Sequence, residues 1–175
     1  MDLSGWDFVC ACSCDALNKL LAIQFKKTPA TLSFDDKAGT TINAVFDPWR
    51  IVAGGSGKKL HIEIPVKTGT ASTPLESGSI DGVVMVAEIE LAFILDKPGA
   101  KSNLKFNFSV VASKPNDPAA GSVLIVTPDR DNRLPKNSDL PMVLHDNVPL
   151  CLIANSDKLS YLFTTLNLAP AGNAA

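Results

Sequence analysis

The sequence predicts a single α+β domain in which one amphipathic helix near the N-terminus packs on a twisted antiparallel sheet. Three observations support this prediction. Apolar residues recur at every second position through much of the 175-residue chain, which is typical of strands with one buried and one solvated face. One alternating run is far longer than an ordinary strand. A single convincing helical stripe precedes the strands.

The helix is predicted to begin at Ser13 or Asp15, since either side chain can act as an N-cap. Two lysines suit the negative C-terminal end of the helix dipole, and Thr28-Pro29 ends the element. We therefore expect a helix of about 12 to 14 residues. Its apolar stripe consists of Leu17, Leu20, Leu21 and Phe25.

Strands follow from alternation in residues 30–36, 60–67 and 104–113. Pro65 cannot donate a backbone hydrogen bond, so its strand is predicted to be an edge strand or to end there. The longest run places seven apolar residues on one face between Val83 and Leu95, a span of roughly 40 Å. Such a strand favours an elongated, strongly twisted sheet. Shorter strands are expected at 123–127 and 148–154, whereas 159–168 is either a strand or a second helix.

Turn residues divide these elements. A glycine-rich hairpin turn is predicted at 54–57, and polar connections are predicted at 68–82, 114–121 and 127–141. We expect one domain over residues 1–168 and a flexible tail over 169–175.

Composition excludes several classes of protein. The chain is 46% hydrophobic and 19% charged, so it can bury a sizeable core. Its net charge is −2, without a long basic run, which argues against nucleic-acid binding. No apolar run is long enough to cross a bilayer, so any membrane contact is expected to be peripheral. The N-terminus lacks the pattern of a secretory signal. We therefore expect a cytoplasmic protein, with non-classical export left open.

Metal binding is not predicted. Cys10, Cys12 and Cys14 are spaced too closely for the usual zinc pair, and the two histidines lie in separate segments. The cysteines are better interpreted as small buried apolar residues on the same extended face as Trp6 and Phe8. Whether they have a redox or metal role stays open. No cofactor is expected.

Catalysis is not predicted either. Residues 54–58 lack three requirements of a phosphate-binding loop, and residues 129–133 lack the glycine and glutamate of a calcium loop. Glu88 and Glu90 are expected to be exposed charges on a strand. His61 and His145 have no evident nucleophilic partner. We therefore expect a non-enzymatic protein without catalytic residues.

Three stretches carry a resemblance to a known family. The first is Gly5-Trp6-Asp7-Phe8-Val9 with Ser13 and Asn18, and the second is 49–58 running into 60–66 and Gly69. The third is 161–167. Together they resemble the tubular lipid-binding (TULIP) superfamily, in the branch of clostridial toxin-cluster accessory proteins of the OrfX and P-forty-seven type.

The resemblance implies a long helix lying in a highly curved antiparallel sheet, with an apolar groove between them that binds a lipid or another elongated hydrophobic molecule. The alternative is a non-enzymatic interaction or scaffolding module, as an accessory of a toxin-related or larger assembly. Its partner would be another protein or a second copy of the chain. The groove candidates are Leu17, Leu20, Leu21, Phe25, Met85, Ile89, Phe93, Phe106 and Phe108.

Overall fold

The computed structural model describes residues 13–27, 30–95, 102–159 and 164–166. The predicted tail, and the segment that contains Cys10 and Cys12, lie outside these ranges. The helices and strands are α1 (Cys14–Lys27), β1 (Thr31–Asp35), β2 (Thr41–Phe46), β3 (Arg50–Val52), β4 (Lys59–Ser72), β5 (Ser77–Ser79), β6 (Val84–Leu95), β7 (Ser102–Asn107), β8 (Val110–Val111), β9 (Ser122–Thr127), α2 (Leu140–Ala154) and β10 (Thr164–Leu166), with a 3-10 turn at Ser156–Leu159.

The ten described strands form one sheet that curls into a half-barrel, and this confirms the predicted α+β class. The main strand order is β1-β2-β4-β6-β7-β10, with β3 and β5 on β4 and with β9 on β6. Short β8 runs parallel to β9, whereas the other pairs are antiparallel.

Two long strands organise the sheet. β6 has 12 residues, which confirms the predicted long strand, and β4 has 14 residues. Each long strand serves different neighbours along its length: β4 pairs with β3 and β6 through its first half and with β2 and β5 through its second. Each long strand therefore runs through the curled sheet without interruption, whereas its shorter partner strands pair with only part of its length.

The prediction for Pro65 is wrong, since β4 lies inside the sheet and continues to Ser72. Pro65 lies where β4 changes from β3 to β2, beside a register shift at Val45/Phe46. Its carbonyl still accepts a 3.0 Å hydrogen bond from the Asp47 amide. The missing N–H therefore falls at an interruption of the ladder, where a proline is tolerated.

Helix α1 confirms the predicted length, with 14 residues. Ser13 is the cap, because its Oγ accepts a 3.2 Å hydrogen bond from the Ala16 amide. Leu17, Leu21 and Phe25 are buried at intervals of four residues, which places them on one face of the helix. At this length the helix is about 21 Å long, so the long helix implied by the resemblance is not confirmed.

The prediction of a strand at 148–154 is wrong, because this segment is the second half of helix α2. Its first residues occupy the end of the predicted 127–141 connection. Pro141 lies in the first turn, where a proline fits, but Pro149 lies inside the helix. Leu144, Val148 and Leu152 are almost fully buried. α2 packs on β9, β1 and β4.

The predicted connection at 68–82 is also largely strand. β4 extends through its first part, and β5 pairs back on β4 from Ser77 to Ser79. Small serine, glycine and threonine residues form this hairpin, and strand pairing overrides their turn preference. The predicted hairpin at 54–57 is confirmed: Gly54 has φ +127°, and a Cβ there would clash with the His61 ring.

Candidate functional site

Seven of the nine groove candidates lie in one continuous hydrophobic core. Leu17, Leu21 and Phe25 extend from α1 toward the sheet, and the others are Met85, Ile89, Phe106 and Phe108. Leu20 is 39% exposed on α1, so it lies outside this core. The side chain of Phe93 is outside the described part of the chain. The structure therefore places these seven candidates in one core, which buried residues of α2 such as Leu144 and Leu152 share.

A chain of aromatic rings runs through the seam between α1 and the sheet around Trp49, which is 1% exposed. The Trp49 ring lies 5.6 Å from the Phe25 ring, 6.2 Å from the Phe46 ring and 5.9 Å from the Phe106 ring. Phe106 continues the chain to Phe108 at 5.8 Å. These tilted and edge-on contacts are favourable aromatic geometries. They form a continuous apolar path from α1 to the far strands.

A recess opens where this path reaches the C-terminal end of α1, and we call it the α1 recess. It has a volume of about 170 Å³. Its lining combines buried aromatic rings with an exposed polar rim: Phe25, Lys26, Val45, Phe46, Asp47, Pro48 and Lys67. Small-molecule sites usually have about 300–1,000 Å³. The α1 recess can therefore hold the end of an apolar chain, and deeper entry requires side chains of the seam to move.

The centre of the seam is packed. Leu21, Ile62 and Ile64 are fully buried on its two walls. Protein cores are typically packed as densely as organic crystals. A ligand longer than the α1 recess must therefore displace α1 or replace some of these side-chain contacts.

Asn18 attaches α1 to the sheet edge. Its Nδ2 donates a 3.0 Å hydrogen bond to the Ile51 carbonyl, and its Oδ1 accepts a 2.7 Å bond from the Ile51 amide. The amide side chain thus supplies to β3 the two bonds that a neighbouring strand would otherwise provide. α1 packs mainly on β3, so this pair anchors the helix along the β3 side.

Replacing Asn18 with alanine should destabilise the domain by about 1–3 kcal/mol, because two backbone groups of Ile51 lose their partners. Chemical unfolding measures the loss. Asn147→Ala is the control, since Asn147 donates a single bond to a carbonyl of its own helix and should matter less. An equal loss in both variants would contradict the assigned role of Asn18.

The prediction that Glu88 and Glu90 are exposed is wrong. The two residues are 2% and 3% exposed, because residues 112–121, the β8–β9 loop, cover them. Glu88 accepts a 2.6 Å hydrogen bond from the Asn116 amide, and Glu90 accepts one from the Gly121 amide. The carboxylates therefore hold the loop on the outer face of the sheet.

Two lysines face the Glu90 carboxylate on this side of the sheet. Lys58 Nζ lies 2.7 Å from Glu90 Oε1, and the buried Lys59 Nζ lies 4.0 Å from Oε2. Lys59 also donates to Ser122 and to the Ala119 carbonyl. Burial acts to raise the pKa of Glu90, but the hydrogen bonds from Lys58 and the Gly121 amide, with the charges of both lysines, hold that pKa below its ordinary value of 4.5.

The described histidines and cysteines do not assemble a nucleophilic site. His61 Nε2 lies 3.5 Å from Glu88 Oε2, and the exposed His145 lies 2.7 Å from Asp146. Burial raises the pKa of the Cys151 thiol to about 12, which keeps it unreactive. Cys14 begins α1 and is exposed, so the prediction that it is buried on an extended face is wrong.

Other polar motifs have structural roles. Asp129 accepts backbone hydrogen bonds from Arg133 and Leu134 within the predicted turn. Across the described ranges, no group of three potential metal ligands is present, and no helix there is long and apolar enough to span a membrane. A shallow outer groove of about 470 Å³ lies on β1, β2, β4 and β5, and five of its eleven lining residues are serine or threonine.

Sequence reasoning missed most of the α1 recess. Apart from Phe25 and Lys26 on α1, its lining comes from one segment that contains Phe46 and Pro48 and from Lys67 on β4, and neither belongs to a recognisable motif. It also missed α2, for which a signal exists: apolar residues at 140, 143, 144, 148, 151 and 152 have helical spacing, and Pro141 suits a first turn.

The fold and the seam define an α+β module in which a short helix lies on a curled sheet, an arrangement consistent with the tubular lipid-binding fold. A family model described as "OrfX-like: Protein OrfX2/OrfX3/P47" matches residues 3–175. The chain therefore belongs to the OrfX-like family.

Two individual relatives support this family assignment. Protein P47 of Clostridium botulinum (strain Kyoto / Type A2) is 31% identical over 172 residues, which cover 96% of this chain and 39% of P47. Protein OrfX3 of the same organism is 24% identical over 183 residues, covering 94% of this chain and 37% of OrfX3. The chain thus spans about two fifths of the length of these two relatives.

Solved structures show the same fold. P47 from Clostridium botulinum A2 has a TM-score of 0.77 at 27% identity, over 90% of this chain and 36% of that chain. P47 of Clostridium botulinum E1 has a TM-score of 0.69 at 23% identity, over 89% of this chain and 35% of that chain.

Proposed function

We propose that this module is non-enzymatic and binds an elongated apolar molecule, such as the acyl chain of a lipid, in the seam between α1 and the curled sheet. The observation that carries the proposal is the α1 recess, which opens onto the aromatic path through Phe25 and Trp49. Each methylene transferred from water to such a surface contributes about 0.8 kcal/mol. Lys26 and Lys67 at the rim leave the polar end of the ligand in water.

The way in which α1 is attached supports uptake of a longer chain. Among the described elements it lies mainly against β3, to which Asn18 is hydrogen-bonded. A helix held along one side can move away from the remaining wall of the seam without disturbing the long strands. The ligand would then replace contacts of Leu21 and Phe25 with the sheet.

A tryptophan at the mouth of the α1 recess tests this proposal. Lys67→Trp should fill the mouth and weaken binding of a fluorescent fatty acid by roughly tenfold or more, which is a loss of about 1.4 kcal/mol. Thr70→Trp is the matched control, because Thr70 lies on the same strand but lines the outer groove. It should bind like the unmodified chain, and circular dichroism of both variants should be unchanged.

Native mass spectrometry with organic extraction provides an independent measurement. A co-purified lipid is expected in the unmodified chain and should be reduced in Lys67→Trp. A protein that carries no lipid and does not take up the fatty acid would contradict the proposal. So would equal binding by the two tryptophan variants.

The packed centre of the seam and the length of the relatives favour a second candidate. Leu21, Ile62 and Ile64 are fully buried at the centre, and the relatives are more than twice as long as this chain. A filled module of this kind would act in interaction or scaffolding within a larger assembly. A native mass equal to that of the protein without lipid, together with no uptake of the fluorescent fatty acid, would favour this candidate.

A further inference from the structure

The outer face of α1 combines apolar and cationic side chains. At about 100° of rotation per residue, the residues that point away from the buried stripe occupy an arc of about 120°. All of them are exposed: Ala16, Lys19, Leu20, Ile23, Lys26 and Lys27. The exposed Asp15 of the first turn borders this arc, about 20° of rotation from Lys26. Leu20 and Ile23 are 39% and 50% exposed. We call this set the α1 outer face.

The three lysines of this face outnumber the acidic residues of α1, because Asp15 is the one carboxylate on this helix. Lys19, Lys26 and Lys27 form no ion pair with any residue in the described ranges, whereas Lys37, Lys58 and Lys59 each have a carboxylate within 4.0 Å. The whole chain has a net charge of −2, so attraction to an anionic surface has to come from a local group of positive charges such as these three lysines. Such an asymmetry orients a protein toward an anionic surface.

We propose that the α1 outer face docks on a lipid bilayer that contains anionic phospholipids. Lysines attracted to the headgroups and a few apolar side chains at the acyl boundary are how interfacial helices bind membranes. The face is a single helical stripe about 21 Å long, which disfavours an acidic protein, since protein interfaces of standard size bury about 800 Å² per partner.

The position of the α1 recess gives a second reason for a bilayer. Lys26 belongs both to the α1 outer face and to the rim of the recess, so docking places the opening beside the membrane surface. Only this reason rests on the proposed function. A lipid chain could then pass from the bilayer to the recess without crossing water.

Vesicle co-sedimentation tests the docking. The probes are vesicles of phosphatidylcholine alone and vesicles of equimolar phosphatidylcholine and phosphatidylglycerol. The unmodified chain should bind the anionic vesicles, and added salt should weaken binding. Lys19→Gln/Lys27→Gln should lose affinity by about fivefold per lysine. The matched control is Lys114→Gln/Lys136→Gln, with the same charge change at exposed positions elsewhere, and it should bind like the unmodified chain.

The apolar contribution needs its own pair of variants. Leu20→Gln/Ile23→Gln should weaken binding to anionic vesicles by roughly tenfold or more, whereas Leu75→Gln, at a 92% exposed position, should not. Failure of the unmodified chain to sediment with anionic vesicles would overturn the proposal and leave an acidic protein as the partner. Equal losses in the lysine pair and its control would also overturn it.

Fatty-acid uptake without vesicles separates this inference from the proposed function. Lys19 and Lys27 do not line the α1 recess, so their double variant should take up the fluorescent fatty acid normally. Vesicle binding without fatty-acid uptake would refute the proposed function alone, and uptake without vesicle binding would refute the docking alone.

Discussion

Trp49→Ala should destabilise the domain by about 3–5 kcal/mol, as expected for removal of a buried tryptophan from a packed core. Trp49 is 1% exposed and contacts rings on α1, β2 and β7. Its loss leaves a cavity where these elements meet. Because the total stability of a domain is about 5–15 kcal/mol, the variant should unfold at a much lower urea concentration.

Two control variants show whether the loss of stability in Trp49→Ala comes from the buried ring. Trp49→Phe keeps one aromatic ring in the same place and should retain a large part of the stability. Leu75→Ala removes an apolar side chain that is 92% exposed and should change the free energy of unfolding by less than about 0.5 kcal/mol. A loss below about 1 kcal/mol for Trp49→Ala would show that Trp49 does not hold the seam together.

The residues that carried the family resemblance prove to be structural where the chain is described. Ser13 caps α1, Asn18 completes the edge of β3, and Trp49 is the centre of the aromatic path. Gly54 makes room for His61 in a tight hairpin, and Pro65 lies where β4 changes partners. These residues identify a fold because each satisfies a local backbone or packing requirement. They do not by themselves identify a ligand.

Local periodicity predicted the elements whose environment is uniform. α1 has one buried stripe and β6 has one continuously apolar face, so spacing alone was sufficient. α2 is different because it is apolar on most sides and contains Pro149. The helical spacing of its buried residues is therefore masked by apolar residues such as Met142 and Leu150 on its exposed side, which make the segment similar to a buried strand.

The environment of Glu88 and Glu90 could not be predicted from alternation. A polar position on a strand is exposed only if nothing covers that face of the sheet. Here the β8–β9 loop, which begins more than 20 residues later in the chain, covers both carboxylates. The α1 recess was hidden for the same reason, because its walls come from α1, β2 and β4. Such juxtapositions depend on the topology of the sheet.

The charge of Glu90 can be tested with little change in shape. Glu90→Gln leaves the buried Lys59 ammonium without its carboxylate partner and should cost about 3–5 kcal/mol at neutral pH, the usual effect of breaking a buried ion pair. Glu88→Gln is the matched control: it lies on the same strand and face and is equally buried, but it faces the His61 imidazole instead of a lysine. It should cost clearly less.

The pH dependence has a defined sign. Because the pKa of Glu90 is lowered in the folded protein, its contribution to stability is present above the ordinary value of 4.5 and disappears as the pH falls through the lower folded value. The difference in free energy of unfolding between the unmodified chain and Glu90→Gln should therefore narrow below pH 4.5. Urea unfolding at a series of pH values measures it. A constant difference would mean that the charge of Glu90 is not responsible.

A double variant separates the charge pair from its surroundings. Lys59→Met/Glu90→Leu removes both charges and should be more stable than Glu90→Gln, because it leaves no buried ion without a partner. The Gly121 amide, however, still loses its acceptor, which costs about 1–3 kcal/mol when the group remains buried. Recovery should thus be incomplete, and hydrogen exchange should show faster exchange at Gly121. Full recovery with a protected Gly121 amide would mean that the β8–β9 loop is held by contacts other than Glu90.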